Sequence, residues 1–162
     1  MVLKFIILGI IILIFIIYEL YFKEYFHVKK IFWSLKKFLS TRDTLILKII
    51  PDVKDKKASK KIINLIEERR INFNSSYNNA IKSDVKLNSE LINFYKKIDE
   101  ERPNEVVLQV FAKIISMEKD LKNIRNKYTL AVEKYNESLI KHKFMCLKVI
   151  RMKPLDTYKV MK

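Results

Sequence analysis

Two histidines and one cysteine are the whole supply of imidazole and thiol ligands in this chain. Glu24 and His27 have the Glu-x-x-His spacing that carries half of a di-iron site in helical bundles. The other half needs a second such pair and two further glutamates. His142 instead has Leu139 three residues before it, so His27 reads as a residue of the membrane interface rather than a ligand. Cys146 has no second cysteine to pair with, and a small buried thiol is expected rather than a nucleophile. The single Gly excludes a dinucleotide fingerprint and a P-loop, both of which need several glycines. The single Cys excludes a disulfide framework and any multi-cysteine zinc site. No acid/base, nucleophile or metal constellation is legible. The expectation is a protein that is not an enzyme and carries no cofactor.

The residues with the most specific pattern are Arg125, Tyr128, Tyr135 and Asn136. Val107, Val110, Ile114, Met117, Leu121, Ile124, Tyr128, Ala131 and Tyr135 alternate in steps of three and four. That is an a/d heptad held for about four repeats. Tyr128 and Tyr135 fall on the seam, so packing is their first role, with each hydroxyl satisfied at the edge. Arg125 and Asn136 flank the seam and can bond to a neighbouring element.

The elements that position these residues are helical. One Gly and three Pro leave too few turn residues for an all-β fold. At 49% hydrophobic residues the chain is too apolar to be disordered. Residues 28–50 carry apolar side chains at helical spacing, and Pro51 should end that helix at Ile50. Asp52 suits the start of the next helix, where a carboxylate meets the positive end of the dipole. The Asn- and Ser-rich stretch 72–79 is read as a break, because these side chains compete with helix through local hydrogen bonds. Pro103 closes a third helix, and a long fourth runs from Asn104 to about His142. The expected fold class is all-α: an N-terminal transmembrane helix, then an antiparallel bundle of three or four long helices. Four arms are favoured over three, because an even number returns the C-terminal tail to the membrane.

From Val2 to Phe22 the only charged side chains are Lys4 and Glu19. The uncharged run from Phe5 to Tyr18 is extended by Lys4, which can snorkel, and by an aromatic group at Tyr18, Tyr21, Tyr25 and Phe26. No small residues follow it to serve signal-peptide cleavage. The run is therefore read as an uncleaved single-pass anchor. Formal net charge is +15, and most of the excess lies in residues 23–61 and 141–162. Lys23, Lys29, Lys30, Lys36 and Lys37 follow the apolar run, which places that flank, and the domain after it, on the cytoplasmic side. Lys23, Lys29, Lys30, Lys148, Arg151 and Lys153 are candidate contacts to anionic lipid headgroups. Both basic groups are expected on one surface. Lysines outnumber arginines 27 to 6. Phosphate forks favour Arg, so nucleic acid is the weaker reading of the same clusters.

The C-terminal residues Glu118, Ile124-Arg125, Tyr128, Val132, Tyr135-Asn136, Lys153-Pro154 and Tyr158 resemble the end of the LemA family. That family's pattern runs Glu…Ala-Arg-x-x-Tyr-Asn-x-x-Val-x-x-Tyr-Asn, then Lys-Pro and an aromatic residue. Trp33-Ser34, Arg42, Leu45-Ile46, Arg69 and the pair Pro103…Phe111 are similar to upstream family positions, so the likeness covers roughly residues 28–158. Thr129 stands where the family has the first Asn, and Leu47 where it has Pro. The resemblance implies an N-terminally anchored helical bundle and supplies no reaction. The expected division is an anchor at 1–22, a LemA-like bundle at 23–143 and a basic tail at 144–162. The expected function is that of a membrane-anchored binding or scaffold module, with anionic lipid and an unidentified protein as partners. The alternative is a membrane-tethered binder of nucleic acid or another anionic polymer.

Overall fold

The computed structural model of the chain describes residues 2–100, 104–142 and 152–158. Pro103, Cys146, Lys148 and Arg151 lie outside the described residues, so their expected roles as helix boundary, buried thiol and lipid contacts do too. The described residues are helical throughout except for short connections and the segment 152–158, and they contain no strand. Helix α1 is Val2–Ile17 and α2 is Lys23–Ile49. Between them Tyr18–Phe22 form a π-helical turn, closed by the Lys23 amide donating to the Tyr18 carbonyl, so the rod runs on unbroken. Helices α3 (Lys56–Ser75), α4 (Tyr77–Glu100) and α5 (Glu105–Lys141) complete the fold. Taken one by one, no helix among the described residues is long and apolar enough to cross a membrane, and α1 has 16 residues.

Local chemistry explains each break. Pro51 sits in a 3-10 turn, Ile50–Asp52, directly after α2. The next helix starts later than the sequence suggests: Asp55, not Asp52, is the N-cap of α3, and its carboxylate accepts from the Ala58 amide at 2.9 Å. The cause is Val53, which is buried at 3% exposure and needs extended backbone after the turn before helix can resume. Residues 72–79 do break the chain. Ser76 is extended, and its Oγ accepts from the Asn79 amide at 3.2 Å, which caps α4. Asn104 caps α5 in the same way, accepting from the Val107 amide at 2.9 Å.

The bundle has four arms, α2 to α5. The principal pairs are α2 with α5 and α3 with α4. This pairing resolves a mismatch of length. The 37 residues of α5 lie along the 27 of α2 and reach the π-helical turn, while the two shorter helices cover each other. The core has two apolar layers. The layer nearer α1 contains Val28, Phe32, Leu35 and Leu39 of α2, Ile81 of α4, and Leu121, Tyr128, Val132, Tyr135 and Leu139 of α5. The far layer contains Ile46 and Ile49 of α2, Ile62, Leu65 and Ile66 of α3, Leu87, Leu91, Phe94 and Ile98 of α4, and Val107 and Ile114 of α5. Every member of the α5 heptad is buried or half-buried.

The arms also sort the charge. α2 measures about 40 Å at about 1.5 Å per residue. Lys23, Lys29 and Lys30 stand at its start, whereas Lys54 to Lys61 follow its end. The two halves of the first basic cluster therefore occupy opposite ends of the bundle and not one surface, since the turn at Pro51 comes between them. The described part of the tail does lie at the α1 end: the Tyr135 hydroxyl donates to the Lys153 carbonyl at 2.9 Å, and Tyr135 packs on Tyr25, with ring centroids 5.9 Å apart.

Leu121 is fully buried where α5 meets the near layer. Leu121→Ala is expected to destabilise the chain by about 2–5 kcal/mol, as other core truncations do. Thermal unfolding followed by circular dichroism measures this, and an unchanged melting curve would show that α5 is not packed along its heptad.

Candidate functional site: a buried charge cluster and its strap

Between the two apolar layers each arm contributes a charged side chain at a position where its stripe calls for an apolar one. On α2, Arg42 and Asp43 come between Leu39 and Ile46. On α3, Arg69 comes between Ile66 and Phe73. On α4, Asp84 comes between Ile81 and Leu87, and on α5 Glu118 comes between Ile114 and Leu121. Arg125 stands two turns after Glu118. Arg42, Asp43, Arg69 and Asp84 are each at most 1% exposed.

Asp84 is the centre. Its Oδ1 accepts from Arg42 Nη2 at 3.3 Å and from Arg69 Nη1 at 2.6 Å. Its Oδ2 accepts from Arg125 Nη2 at 2.9 Å, Arg125 Nε at 3.2 Å and the Tyr158 hydroxyl at 2.9 Å. Arg42 Nη1 also donates to Glu118 Oε1 at 3.0 Å and to Asn88 Oδ1 at 3.3 Å. Arg69 Nη2 donates to Asp43 Oδ2. Arg42, Arg69 and Arg125 thus meet Asp43, Asp84 and Glu118, and the half-exposed Arg70 adds a fourth arginine at the edge, with Nε 3.8 Å from Asp43 Oδ2. Burial pushes the Asp84 carboxyl up, but Arg125, Arg42 and Arg69 outweigh it and hold the group well below the usual carboxylate range. Burial has the opposite outcome at Asp43, where Arg69 and Arg42 offset it only in part and the pKa ends above the ordinary value. Asp43 Oδ1 and Arg42 Nε are buried without a hydrogen-bond partner among the described residues.

A strap closes the cluster from the tail. Asn136 reads the backbone of Leu155 in both directions: Nδ2 donates to its carbonyl at 2.9 Å and Oδ1 accepts from its amide at 3.0 Å. Asn78 Oδ1 accepts from the Asp156 amide at 2.9 Å. These contacts deliver the buried Tyr158 to Asp84, with the Arg125 guanidinium 5.5 Å from its ring and Tyr128 edge-on at 5.8 Å. Burial, and then the Asp84 charge, push the Tyr158 phenol well above its ordinary pKa, so it stays a donor.

The four residues singled out by pattern fall in this region. Arg125 bonds across to Asp84 on α4. Tyr135 holds the strap at Lys153, and Asn136 holds it at Leu155. Tyr128 is fully buried, but its hydroxyl has no hydrogen-bond partner among the described residues. Asp84 itself was not singled out. Its signal was a lone carboxylate in register with Ile81, Leu87 and Leu91.

Most of the charge is paired within the cluster, and among the described residues no group of His, Cys, Asp or Glu can hold a metal ion. The cavities do not change this. A pocket of about 200 Å³ beside the cluster is lined by Lys36, Ser40, Asp43, Arg69, Arg70 and Asn74. A groove of about 850 Å³ between α3 and α4 carries Lys57, Lys60, Lys61, Lys96 and Lys97, interleaved with Asp55, Glu90 and Glu100. Lys61 pairs with Glu90 at 2.6 Å, and Lys97 pairs with Asp55. These carboxylates blunt the groove as a seat for a polyanion.

Asp84→Asn is expected to cost about 3–5 kcal/mol, because the buried Arg42 and Arg69 and the partly buried Arg125 lose their common counter-charge. The pH dependence follows from the depressed pKa of Asp84. Its contribution is full above the unfolded value of about 3.9 and is lost as pH falls towards the lower folded value. Asp43 works in the opposite sense, since its raised pKa favours the protonated folded form. Melting curves from neutral to strongly acidic pH should fall below about pH 4 in the native chain and fall less in Asp84→Asn. Equal acid losses in the two proteins would show that Asp84 is not the titrating group. No family model, no curated protein and no solved structure matches this chain.

Proposed function

We propose that this chain is a single-pass membrane-anchored scaffold of the LemA type, whose helical bundle stands on the cytoplasmic face and binds a protein partner. The observation that carries the proposal is the surface of α1. Phe5, Ile6, Ile7, Leu8, Ile10, Ile11, Ile12, Leu13, Ile14, Phe15 and Ile16 are all exposed, at 46–68%. A helix that is apolar on every side belongs in a large protein core or in a bilayer, and the bundle does not cover this one. The 16 residues of α1 and the 5 of the π-helical turn make a rod of about 32 Å at about 1.5 Å per residue. That is close to the roughly 30 Å hydrocarbon thickness of a bilayer.

The basic residues that follow set the orientation. Lys29 and Lys30 are exposed just beyond the rod and Lys37 two turns further on, while Lys23 is bridged to Glu19 at 2.7 Å. The anchor confines the bundle to the membrane plane, and its cross-braced core gives a rigid body to present to a partner.

The chain should sediment with membranes and resist carbonate and high-salt extraction, and deletion of residues 2–17 should release the bundle. Release of the full chain by carbonate would refute the anchor. Protease added to spheroplasts should leave the bundle intact, and its digestion from outside would reverse the orientation.

A further inference from the structure

α2 buries Val28, Phe32, Leu35 and Leu39. Its opposite face carries Phe26, Lys29, Lys30, Trp33, Ser34, Lys37, Ser40, Thr41 and Thr44, all exposed. Trp33 is the chain's one tryptophan and is 56% exposed; Phe26, two turns earlier, is 45% exposed. What sets these two rings apart from scattered exposed side chains is that they share one face with a row of lysines. The stripe is continuous with the apolar rod, because the Phe26 ring lies 6.0 Å from Tyr18 and 6.2 Å from Phe22. No carboxylate interrupts the face. The hydroxyls of Ser34, Thr41 and Thr44 donate to carbonyls four residues back, so they require no outside partner. Lys36 Nζ stands 5.0 Å from the centre of the Trp33 ring.

We infer that this outward face of α2 rests on the surface of the membrane that holds α1, with Trp33 in the headgroup layer and Lys29 and Lys30 against anionic headgroups. Aromatic rings with lysines beside them and no acid are the chemistry of a lipid interface. Trp33 lies about 16 Å along the helix from Phe22 at about 1.5 Å per residue. An upright α2 would hold it above a headgroup layer roughly 5–8 Å thick. A lean of about 40°, at the upper end of known helix tilts, lowers the indole on the underside into that layer. The π-helical turn Tyr18–Phe22 lies at the start of this lean, and such turns are where helices bend. The inference rests on the anchored reading and adds the side of the bundle that faces the lipid.

The single tryptophan makes the test direct. The full chain is reconstituted into phosphatidylcholine vesicles with and without phosphatidylglycerol, and flotation and Trp33 emission are recorded together. The expected result is flotation with the vesicles, a blue-shifted emission, and quenching by lipids brominated near the headgroup. Quenching should be stronger with phosphatidylglycerol, and it should weaken in high salt and when Lys29 and Lys30 are replaced by Gln. A chain that floats but keeps a water-exposed emission, quenched by iodide and not by brominated lipid, would overturn the inference and leave the anchor standing. Blue-shifted emission that brominated lipid does not quench would show that protein covers the face, and would also overturn it. A chain that does not float would overturn the anchor and the inference together.

Discussion

A single carboxylate, Asp84, holds the four arms and the tail in one register. Its two oxygens take five hydrogen bonds, from arginines on α2, α3 and α5 and from Tyr158 of the strap. Burying so many ions costs several kcal/mol each, and the cost is recovered only where every charge has a well-placed partner. A slip of any arm by one turn would move an arginine, or Asp84 itself, about 5.4 Å towards an apolar layer. Apolar layers alone tolerate such slips far better, since one Leu or Ile stripe fits another. The cluster therefore adds to the apolar layers a constraint of charge pairing that links all four arms.

The strap has the same logic. Asn136 and Asn78 read backbone groups of the tail rather than its side chains, which fixes its position, and Tyr158 then completes the coordination of Asp84. The tail is thus joined to the innermost group of the bundle. Its described part is a structural element of the domain, which changes how the basic C-terminus is to be pictured: Lys153 is exposed, but the chain around it is docked.

The outer surface divides by end. At the α1 end lie an uncovered apolar rod, an acid-free aromatic and lysine face, and the docked strap. At the far end the lysines are interleaved with carboxylates and partly paired with them. This asymmetry suits a body attached at one end, and it separates two basic groups that are close together in sequence.

Much of the fold was legible in local pattern. Helicity followed from the dearth of Gly and Pro, and the length and seam of α5 followed from its heptad. The reversal at residues 72–79 followed from Asn and Ser, and the end of α2 from Pro51. Each is a property of neighbouring residues, and periodicity reports it directly. The start of α3 was misplaced because the burial of Val53 is a tertiary contact that delays the helix. The centre of the molecule was not legible for the same reason. Arg42, Arg69 and Arg125 stand 42, 15 and 41 residues from Asp84, and Tyr158 stands 74 away. A charged residue in an apolar stripe could be noticed at each position. Which of them share one buried site depends on how the helices align, and only the packed structure decides that.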